Sequence, residues 1–278
     1  MAKRTLRMKA SKKAGNSVRK HSISKHKHVA GHRKEYDLYN MSTLRNIGAI
    51  TRKEQDILSG SKVFVAGCGG LGGIAIDLLA RAGVGEICFA DGDVFEVTNL
   101  NRQIFSSYSV IGKKKVDVIA KRLKDINPSI RVNPIGEFIS SEDSAAKLLK
   151  GCDVIVDGLD NVLSRIYVSR AAKDCGIPYV FGAAEKARGY STVFLPKAQS
   201  YESTFMLPSN GKKIDAKMKE RLKNASGCQS ILGVAANVIG GIESMQAINY
   251  LLGKKFVSAP DFIHVSFFDE VPFRITTL

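Results

Sequence analysis

Cysteine is scarce in this chain, and the few cysteines are widely spaced. They stand at positions 68, 88, 152, 175 and 228, so no two lie within three residues of each other. A zinc site built from two Cys-x-x-Cys pairs is therefore excluded by spacing, and we expect no zinc. An odd number of isolated cysteines fits a reducing compartment, so we expect the protein in the cytoplasm.

Acidic residues are absent from the first 34 positions, which carry twelve Lys and Arg residues and four of the five histidines. The rest of the chain is nearly balanced, because most of the net charge of +16 lies in this stretch. With almost no large apolar side chains, residues 1–34 are expected to form a disordered basic tail. The tail is either merely solvated, or it makes a weak contact with nucleic acid or another polyanion.

No stretch of the sequence has the pattern of a membrane span. The N-terminal region lacks the apolar central segment of a secretory signal. The longest apolar stretch, residues 231–252, contains Asn237, Glu243, Gln246 and Asn249. Polar side chains at this density indicate a buried or interface helix, so we expect no membrane contact.

From residue 62 onward, short apolar runs alternate with segments of helical periodicity, which is typical of parallel βαβ units. Strands are expected near 63–67, 86–90, 130–135, 153–157, 178–181, 191–195, 264–268 and 273–277. Helices are expected at 70–82, 113–126, 141–150 and 231–252, with another ending at 175. We therefore predict one α/β domain over residues 35–278, with a Rossmann-like doubly wound, mostly parallel sheet and antiparallel C-terminal strands.

A glycine-rich turn, Gly-Cys-Gly-Gly-Leu-Gly-Gly at residues 67–73, follows the first predicted strand. Gly67, Gly69 and Gly70 permit close approach of the backbone to a phosphate, and the next helix supplies amide donors. Asp91 ends the second strand, 24 residues beyond Gly67, where an acidic residue binds a ribose hydroxyl. These features fit a nicotinamide-dependent oxidoreductase and a nucleotidyltransferase equally.

The residues that follow favour a nucleotide that is consumed. Arg102 offers a planar donor fork for phosphate, and Lys115 offers a point charge. Asp160 ends the fourth strand, where open α/β sheets bind ligands, and could hold Mg²⁺. Together they suit attack on the α-phosphate of ATP. Taken singly, Lys115 has the alternative of a solvated helix lysine, and Asp160 that of a helix N-cap.

Four motifs occur in an order and spacing that resembles the ThiF/MoeB/HesA family, the prokaryotic branch of the ubiquitin-activating-enzyme superfamily. They are Gly-Cys-Gly-Gly-Leu-Gly at 67–72, Asp-Gly-Asp…Asn-Leu-Asn-Arg-Gln at 91–103, Val-Ile-Gly-Lys-Lys-Lys at 110–115 and Gly-Leu-Asp-Asn at 158–161. The resemblance implies an ATP- and Mg²⁺-dependent adenylyltransferase. Its substrate would be a ubiquitin-like or sulfur-carrier protein ending in Gly-Gly, activated as an acyl-adenylate with release of pyrophosphate.

The resemblance also implies roles for individual residues. Gly69 and Gly70 would approach the nucleotide, and Asp91 would bind the ribose. The phosphates would be handled by Asn99, Arg102 and Lys115, and the metal would be bound by Asp160. Asp93 would be a second carboxylate of the cofactor-binding site, and Gln103 would support the loop. The family's homodimers imply that Arg45 crosses into the partner's site. Cys228, in the crossover segment, is a candidate acyl acceptor, with a structural role as the alternative.

Several other interpretations remain open. The same chemistry could act on a small-molecule, peptide or tRNA-borne carboxylate, or the chain could be a polyanion-binding pseudoenzyme.

The polar connection at 196–227 is unusually long. Its basic part, 212–223, is expected to be a solvated helix, or else a docking surface for an acidic partner. Arg165 is expected to be an exposed or ion-paired helix residue, with a substrate contact as the alternative.

Overall fold

The computed structural model describes residues 33–223 and 230–278. Most of the basic tail predicted for residues 1–34 lies outside the described residues. Cys228 also lies outside them. Within the described part, none of the helices has both the length and the apolar character needed to cross a membrane.

Helices and strands alternate along most of the described chain. The helices are α1 (Arg33–Ser42), α2 (Arg52–Gly60), α3 (Gly70–Ala82), α4 (Lys115–Ile126), α5 (Glu142–Leu149), α6 (Val162–Cys175), α7 (Tyr201–Thr204), α8 (Ala216–Lys223) and α9 (Gly233–Leu251). The strands are β1 (Lys62–Ala66), β2 (Glu86–Ala90), β3 (Arg131–Ile135), β4 (Val154–Asp157), β5 (Tyr179–Glu185), β6 (Arg188–Phe194), β7 (Asp261–Ser266) and β8 (Phe273–Thr277).

The strands form one sheet in the order β3-β2-β1-β4-β5-β6-β7-β8. The pairs from β3 to β5 are parallel, and the three pairs from β5 to β8 are antiparallel. The predicted fold class is therefore confirmed: a doubly wound, mixed sheet whose C-terminal strands are antiparallel.

Alternation along β1 shows how helices cover both faces of the sheet. Val63 and Val65 point to one face, where they pack in a buried cluster with residues of α3, α4 and α9. Phe64 and Ala66 point to the other face and pack with α5, α6 and the aromatic side chains around Phe181. Because both faces are buried, the central strands are mostly apolar, and their charged residues stand at strand ends: Lys62, Glu86 and Asp157.

The order of the strands defines where a ligand can bind. The chain leaves β1 to build β2 and β3 on one side, and then returns to place β4 on the other side of β1. After β1 and β4 the chain therefore continues into helices on opposite faces of the sheet, α3 and α6. The carboxyl edge between these two strands is the position where open α/β sheets bind ligands. The β1 turn is the glycine turn at 67–70, and the β4 turn consists of residues 158–160.

Two short helices that the sequence pattern did not predict, α1 and α2, precede β1. Their polar side chains attach them to the C-terminal end of α3. Tyr39 Oη donates to the Gly83 carbonyl at 2.7 Å, and Asn46 Nδ2 donates to the Ala82 carbonyl at 3.2 Å. Gln55 Nε2 also donates to Ala82, at 2.9 Å. This segment thus lies at the amino edge of the sheet, away from the two turns.

The long polar connection after β6 contains secondary structure that explains its length. Ser200 caps α7, and its side chain accepts from the Ser203 amide at 3.2 Å. The basic stretch expected to be a solvated helix includes α8, whose Leu222 nevertheless packs into the cluster around Phe181.

Helix α4 begins at Lys115 rather than at 113, because the Lys113 carbonyl accepts from the Phe95 amide and Lys114 bridges to Val94.

Candidate active site

The glycine turn packs directly against the turn after β4. Gly67 has a φ of +88°, a conformation that glycine adopts without strain, and its amide donates to the Ala90 carbonyl at 2.9 Å. A Cβ at Gly158 would lie 2.5 Å from the Gly67 carbonyl oxygen and 2.7 Å from the Gly72 Cα. The two turns therefore touch backbone to backbone, and glycine is required on both sides of the contact.

Asp91 links the glycine turn to the end of β2. One carboxylate oxygen accepts from the Cys68 amide, and the other accepts from the Asp93 amide, both at 2.8 Å. The side chain is 9% exposed. A carboxylate oxygen accepts more than one hydrogen bond, so a ribose hydroxyl can still be bound at this position.

Lys115 lies between two carboxylates at the start of α4. Its ammonium nitrogen is 3.0 Å from Asp93 Oδ2 and 3.8 Å from Asp91 Oδ2. The residue is only 5% exposed, so the alternative of a solvated helix lysine is wrong. The Asp93 carboxylate is about half exposed, which leaves room for a phosphate oxygen to reach the same ammonium.

Arg102 lies against the glycine turn and is supported by α9. Its aliphatic carbons would contact a Cβ at Gly70 at 3.4 and 3.6 Å. The guanidinium donates to the Thr98 carbonyl and to Asn101 Oδ1, both at 2.9 Å. From α9, Asn237 Nδ2 donates to the Arg102 carbonyl at 3.2 Å. Helix α9, predicted from the apolar stretch at 231–252, thus holds the backbone of Arg102 beside the glycine turn.

Asn99 and Gln103 occupy different environments near this turn. Asn99 is buried, and its Oδ1 accepts from the Glu96 amide at 3.0 Å, which caps a short 3-10 turn. Gln103 is also buried and lies beside Gly69, with its Nε2 3.8 Å from where a Cβ there would be. Gln103 Oε1 has no protein hydrogen-bond partner. A buried acceptor of this kind next to the glycine turn fits a site built for a polar ligand.

Asp160 is exposed in the turn after β4. Its carboxylate accepts from the neighbouring Asn161 Nδ2 at 3.3 Å, and among the described residues it forms no ion pair. Asn161, not Asp160, is the N-cap of α6, because its side chain accepts from the Ser164 amide at 2.8 Å. The N-cap alternative for Asp160 is therefore wrong, and its carboxylate is available for a ligand.

Mg²⁺ fits this position by the chemistry of its donors. Among the described residues, no three His, Cys, Asp or Glu side chains come together as a metal site. Mg²⁺ is usually held by one or two carboxylates, with substrate phosphates and water completing its octahedron. Asp160, in the turn that packs against the glycine turn, supplies a donor of that type.

The structure does not bring Arg45 to the site of its own chain. Arg45 lies in a 3-10 turn at Leu44–Asn46, and Asn46 is bonded to Ala82 at the far end of α3. Helix α3 has 13 residues, so its two ends are about 20 Å apart. The Arg45 side chain is exposed, at the opposite edge from the glycine turn.

Sequence reasoning missed two buried carboxyl groups. Asp157 ends β4, is fully buried, and pairs with Arg165 at 2.9 Å. Burial raises the pKa of Asp157, and the Arg165 charge opposes that shift. Glu243 in α9 is also fully buried, and neither oxygen has a hydrogen-bond partner. Burial raises its pKa well above the ordinary range, and the Asp157 charge adds to the shift. The sequence shows both charges but not their surroundings.

Cys68, inside the glycine turn, does not have the surroundings of a reactive thiol. Cys68 is 1% exposed. Burial raises the pKa of its thiol well above the ordinary value, and the Asp91 carboxylate adds to the increase. The nucleophilic thiolate is therefore disfavoured at Cys68.

Comparison with known proteins identifies the family. The ThiF family model matches residues 41–276, which is most of the chain. The chain belongs to the ThiF family. It is 31% identical over 229 residues to the SAMP-activating enzyme E1 of Haloferax volcanii, covering 79% of each chain. It is 32% identical to the molybdopterin-synthase adenylyltransferase of Escherichia coli, covering 72% of this chain and 76% of the relative.

The fold of this ThiF-family chain also matches a solved structure. It is 26% identical to E. coli MccB crystallised with ATP, with a TM-score of 0.68. The match covers 81% of this chain and 65% of the MccB chain, so the chain spans just under two thirds of that protein.

Proposed function

We propose that the protein is an ATP-dependent adenylyltransferase that activates the C-terminal glycine carboxylate of a ubiquitin-like or sulfur-carrier protein in the cytoplasm. A carboxylate oxygen attacks the α-phosphorus of ATP, the bond to the bridging oxygen breaks, and pyrophosphate leaves. The products are an acyl-adenylate on the carrier and pyrophosphate.

One observation carries the proposal: a glycine turn, a buried lysine and an unpaired carboxylate meet at the carboxyl edge of the sheet. The turn and the N-terminus of α3 bind phosphate, and Lys115 supplies a charge in a water-poor position. Asp160 supplies the carboxylate. The similarity to a SAMP-activating enzyme and to a molybdopterin-synthase adenylyltransferase supports a small carrier protein as the acceptor.

The proposed roles follow from the surroundings of each residue. Asp91 binds the ribose while holding the Cys68 amide. Lys115 and Arg102 bind phosphate oxygens and stabilise the charge that develops on the leaving pyrophosphate. Asp160 would hold Mg²⁺, which when bound neutralises part of the triphosphate charge. Asn99 donates from its Nδ2 to a phosphate oxygen, while its Oδ1 accepts from the Glu96 amide.

The position of Arg45 supports a homodimer in which the site is completed by the partner subunit. Arg45 lies about 20 Å from its own glycine turn, the length of helix α3. An exposed arginine there can reach a nucleotide only in a second copy of the chain. We include the homodimer and this role of Arg45 in the proposal.

Cys228 and the basic tail remain secondary parts of the proposal, because both lie outside the described residues. Ile231, three positions after Cys228, has its carbonyl bonded to Asn101 Nδ2 at 3.1 Å, beside Arg102. We keep Cys228 in the proposal as a candidate acyl acceptor, as the family resemblance implies. The tail would add a weak, salt-dependent contact with nucleic acid.

The test is ATP–pyrophosphate exchange with purified protein and candidate carriers. Exchange is expected with a carrier ending in Gly-Gly and not with the same carrier lacking its last glycine. Parallel reactions with free peptides and with tRNA test the other acceptors. Exchange with one of those, and with no carrier protein from the same organism, would replace the proposed acceptor.

A further inference from the structure

A buried arginine lies beneath the turn that carries Asp160. Arg165 Nε donates to Asp157 Oδ2 at 2.9 Å, and its Nη2 donates to the carbonyls of Leu159 at 2.6 Å and Gly182 at 3.1 Å. The side chain is 13% exposed, and the guanidinium lies 5.1 Å from the centre of the Phe181 ring. One guanidinium thus connects β4, β5 and the turn after β4.

This arrangement holds the peptide group of Leu159 from both sides. The Leu159 amide donates to Asp157 Oδ1 at 2.8 Å, while its carbonyl accepts from Arg165. The residue before it, Gly158, donates to the Ala66 carbonyl at 2.7 Å. The residue after it is Asp160, whose carboxylate has no comparable support of its own. The location of the Asp160 carboxylate therefore depends on the Leu159 peptide.

The same turn also fixes the glycine turn, because the backbones of Gly158 and Gly67 are in direct contact. A shift of residues 158–160 would move the phosphate-binding amides and the Asp160 carboxylate together. Lysine cannot replace the arginine here, since one ammonium group does not reach three acceptors that match a planar fork.

We propose that Arg165 is a positioning residue of the ATP site, which sets the distance between the Asp160 carboxylate and the glycine turn by clamping Leu159. The inference rests on the function proposed above. It assigns to Arg165 a part in nucleotide binding that acts through the Leu159 carbonyl.

Arg170 provides a matched control on the same helix. Its side chain is 18% exposed, and it also pairs with carboxylates, Glu202 and Glu142, each at 2.8 Å. It donates to the backbone carbonyls of Ser209 and Lys212 as well. Arg170→Lys therefore removes a comparable buried fork, without any contact to residues 158–160.

The experiment compares MgATP affinity in Arg165→Lys and Arg170→Lys by calorimetry, without any carrier present. Arg165→Lys is expected to weaken MgATP binding about ten- to hundred-fold and to require more Mg²⁺ for half-saturation. Arg170→Lys is expected to stay within about two-fold of the parent, even if it unfolds more easily. Equal MgATP affinities in the two variants would overturn the proposal.

A second variant covers the case in which Arg165→Lys does not fold. Asp157→Asn keeps an acceptor for the Leu159 amide but removes the charge that holds Arg165. It is expected to weaken MgATP binding less than Arg165→Lys would, yet more than Arg170→Lys does. Unchanged affinity would overturn the clamp. If the parent protein binds MgATP but shows no carrier-dependent exchange, only the proposed acceptor fails; if the parent does not bind MgATP, both proposals fail.

Discussion

Two adjacent glycines at the start of α3 are expected to respond in opposite ways to the same substitution. A Cβ at Gly72 would overlap the carbonyl oxygen of Gly67 and lie 2.9 Å from its carbonyl carbon, inside the 3.0 Å that real Cβ atoms keep. A Cβ at Gly73 would meet nothing closer than the Cys68 carbonyl oxygen at 3.5 Å, an ordinary contact. Neither residue has a positive φ.

The contacts set the expected magnitudes. Gly72→Ala forces the Gly67 backbone to move, and overpacking of this kind costs about 1–3 kcal/mol. Alanine regains about 1 kcal/mol of helix propensity, so the net loss is about 0–2 kcal/mol. Gly73→Ala has the same propensity gain without the overlap, and is expected to be neutral or up to about 1 kcal/mol more stable.

Urea unfolding followed by circular dichroism measures this difference directly. The two variants should differ by about 2 kcal/mol in the free energy of unfolding. Gly72→Ala should also show a smaller rise in Tm on adding MgATP, because the Gly67 turn is displaced. Equal stability of Gly72→Ala and Gly73→Ala would contradict the close contact between Gly72 and the Gly67 carbonyl group.

Three further predictions concern buried or distant charges. Lys115→Ala should lower the pyrophosphate exchange rate by about 100-fold or more, and retention of half the rate would exclude a phosphate-binding role. Burial raises the pKa of Glu243 above 4.5, so the folded state keeps a proton that the unfolded chain releases. The free energy of unfolding therefore falls as the pH rises above 4.5, by about 1.4 kcal/mol per pH unit until the folded pKa is reached. In Glu243→Gln this dependence on pH should be weaker, as urea unfolding measured between pH 5 and 8 would show. If Arg45 acts in the partner's site, mixing inactive Arg45→Ala and Lys115→Ala proteins should restore about a quarter of the parent rate, and no recovery after subunit exchange would refute it.

Much of the fold could be predicted because its signals are local. The limits of α3 and β2 match the expected ones, since the apolar run, the glycines and the helical periodicity all lie within those segments. The helix expected at 141–150 matches α5, whose cap Ser141 accepts from the Ser144 amide three positions away. Helices α1 and α2 were missed because they are short and polar and depend on hydrogen bonds to the end of α3. A local signal was nevertheless present for α2, since Thr51 and Glu54 form a capping box at its start.

The candidate site was predictable only as a set of residue types. The sequence indicated that Asp91, Arg102, Lys115 and Asp160 belong together, because motif spacing and strand ends bring such residues to one edge. It did not show that Lys115 is buried between two carboxylates. It also did not show that Arg165 supports the Asp160 turn, because a single arginine in a helix has no signal that distinguishes a buried clamp from a surface ion pair.

By itself, then, the sequence determined the alternation of elements, the family and the kind of chemistry, because these depend on short-range patterns of apolar, glycine and charged residues. Only the tertiary structure decided which of two neighbouring glycines tolerates a methyl group. It also decided which arginine holds the Leu159 peptide and at which edge of the sheet Arg45 lies. Those properties arise where segments far apart in the chain meet. Gly67 and Gly158, 91 residues apart, touch only because β1 and β4 are neighbours in the sheet.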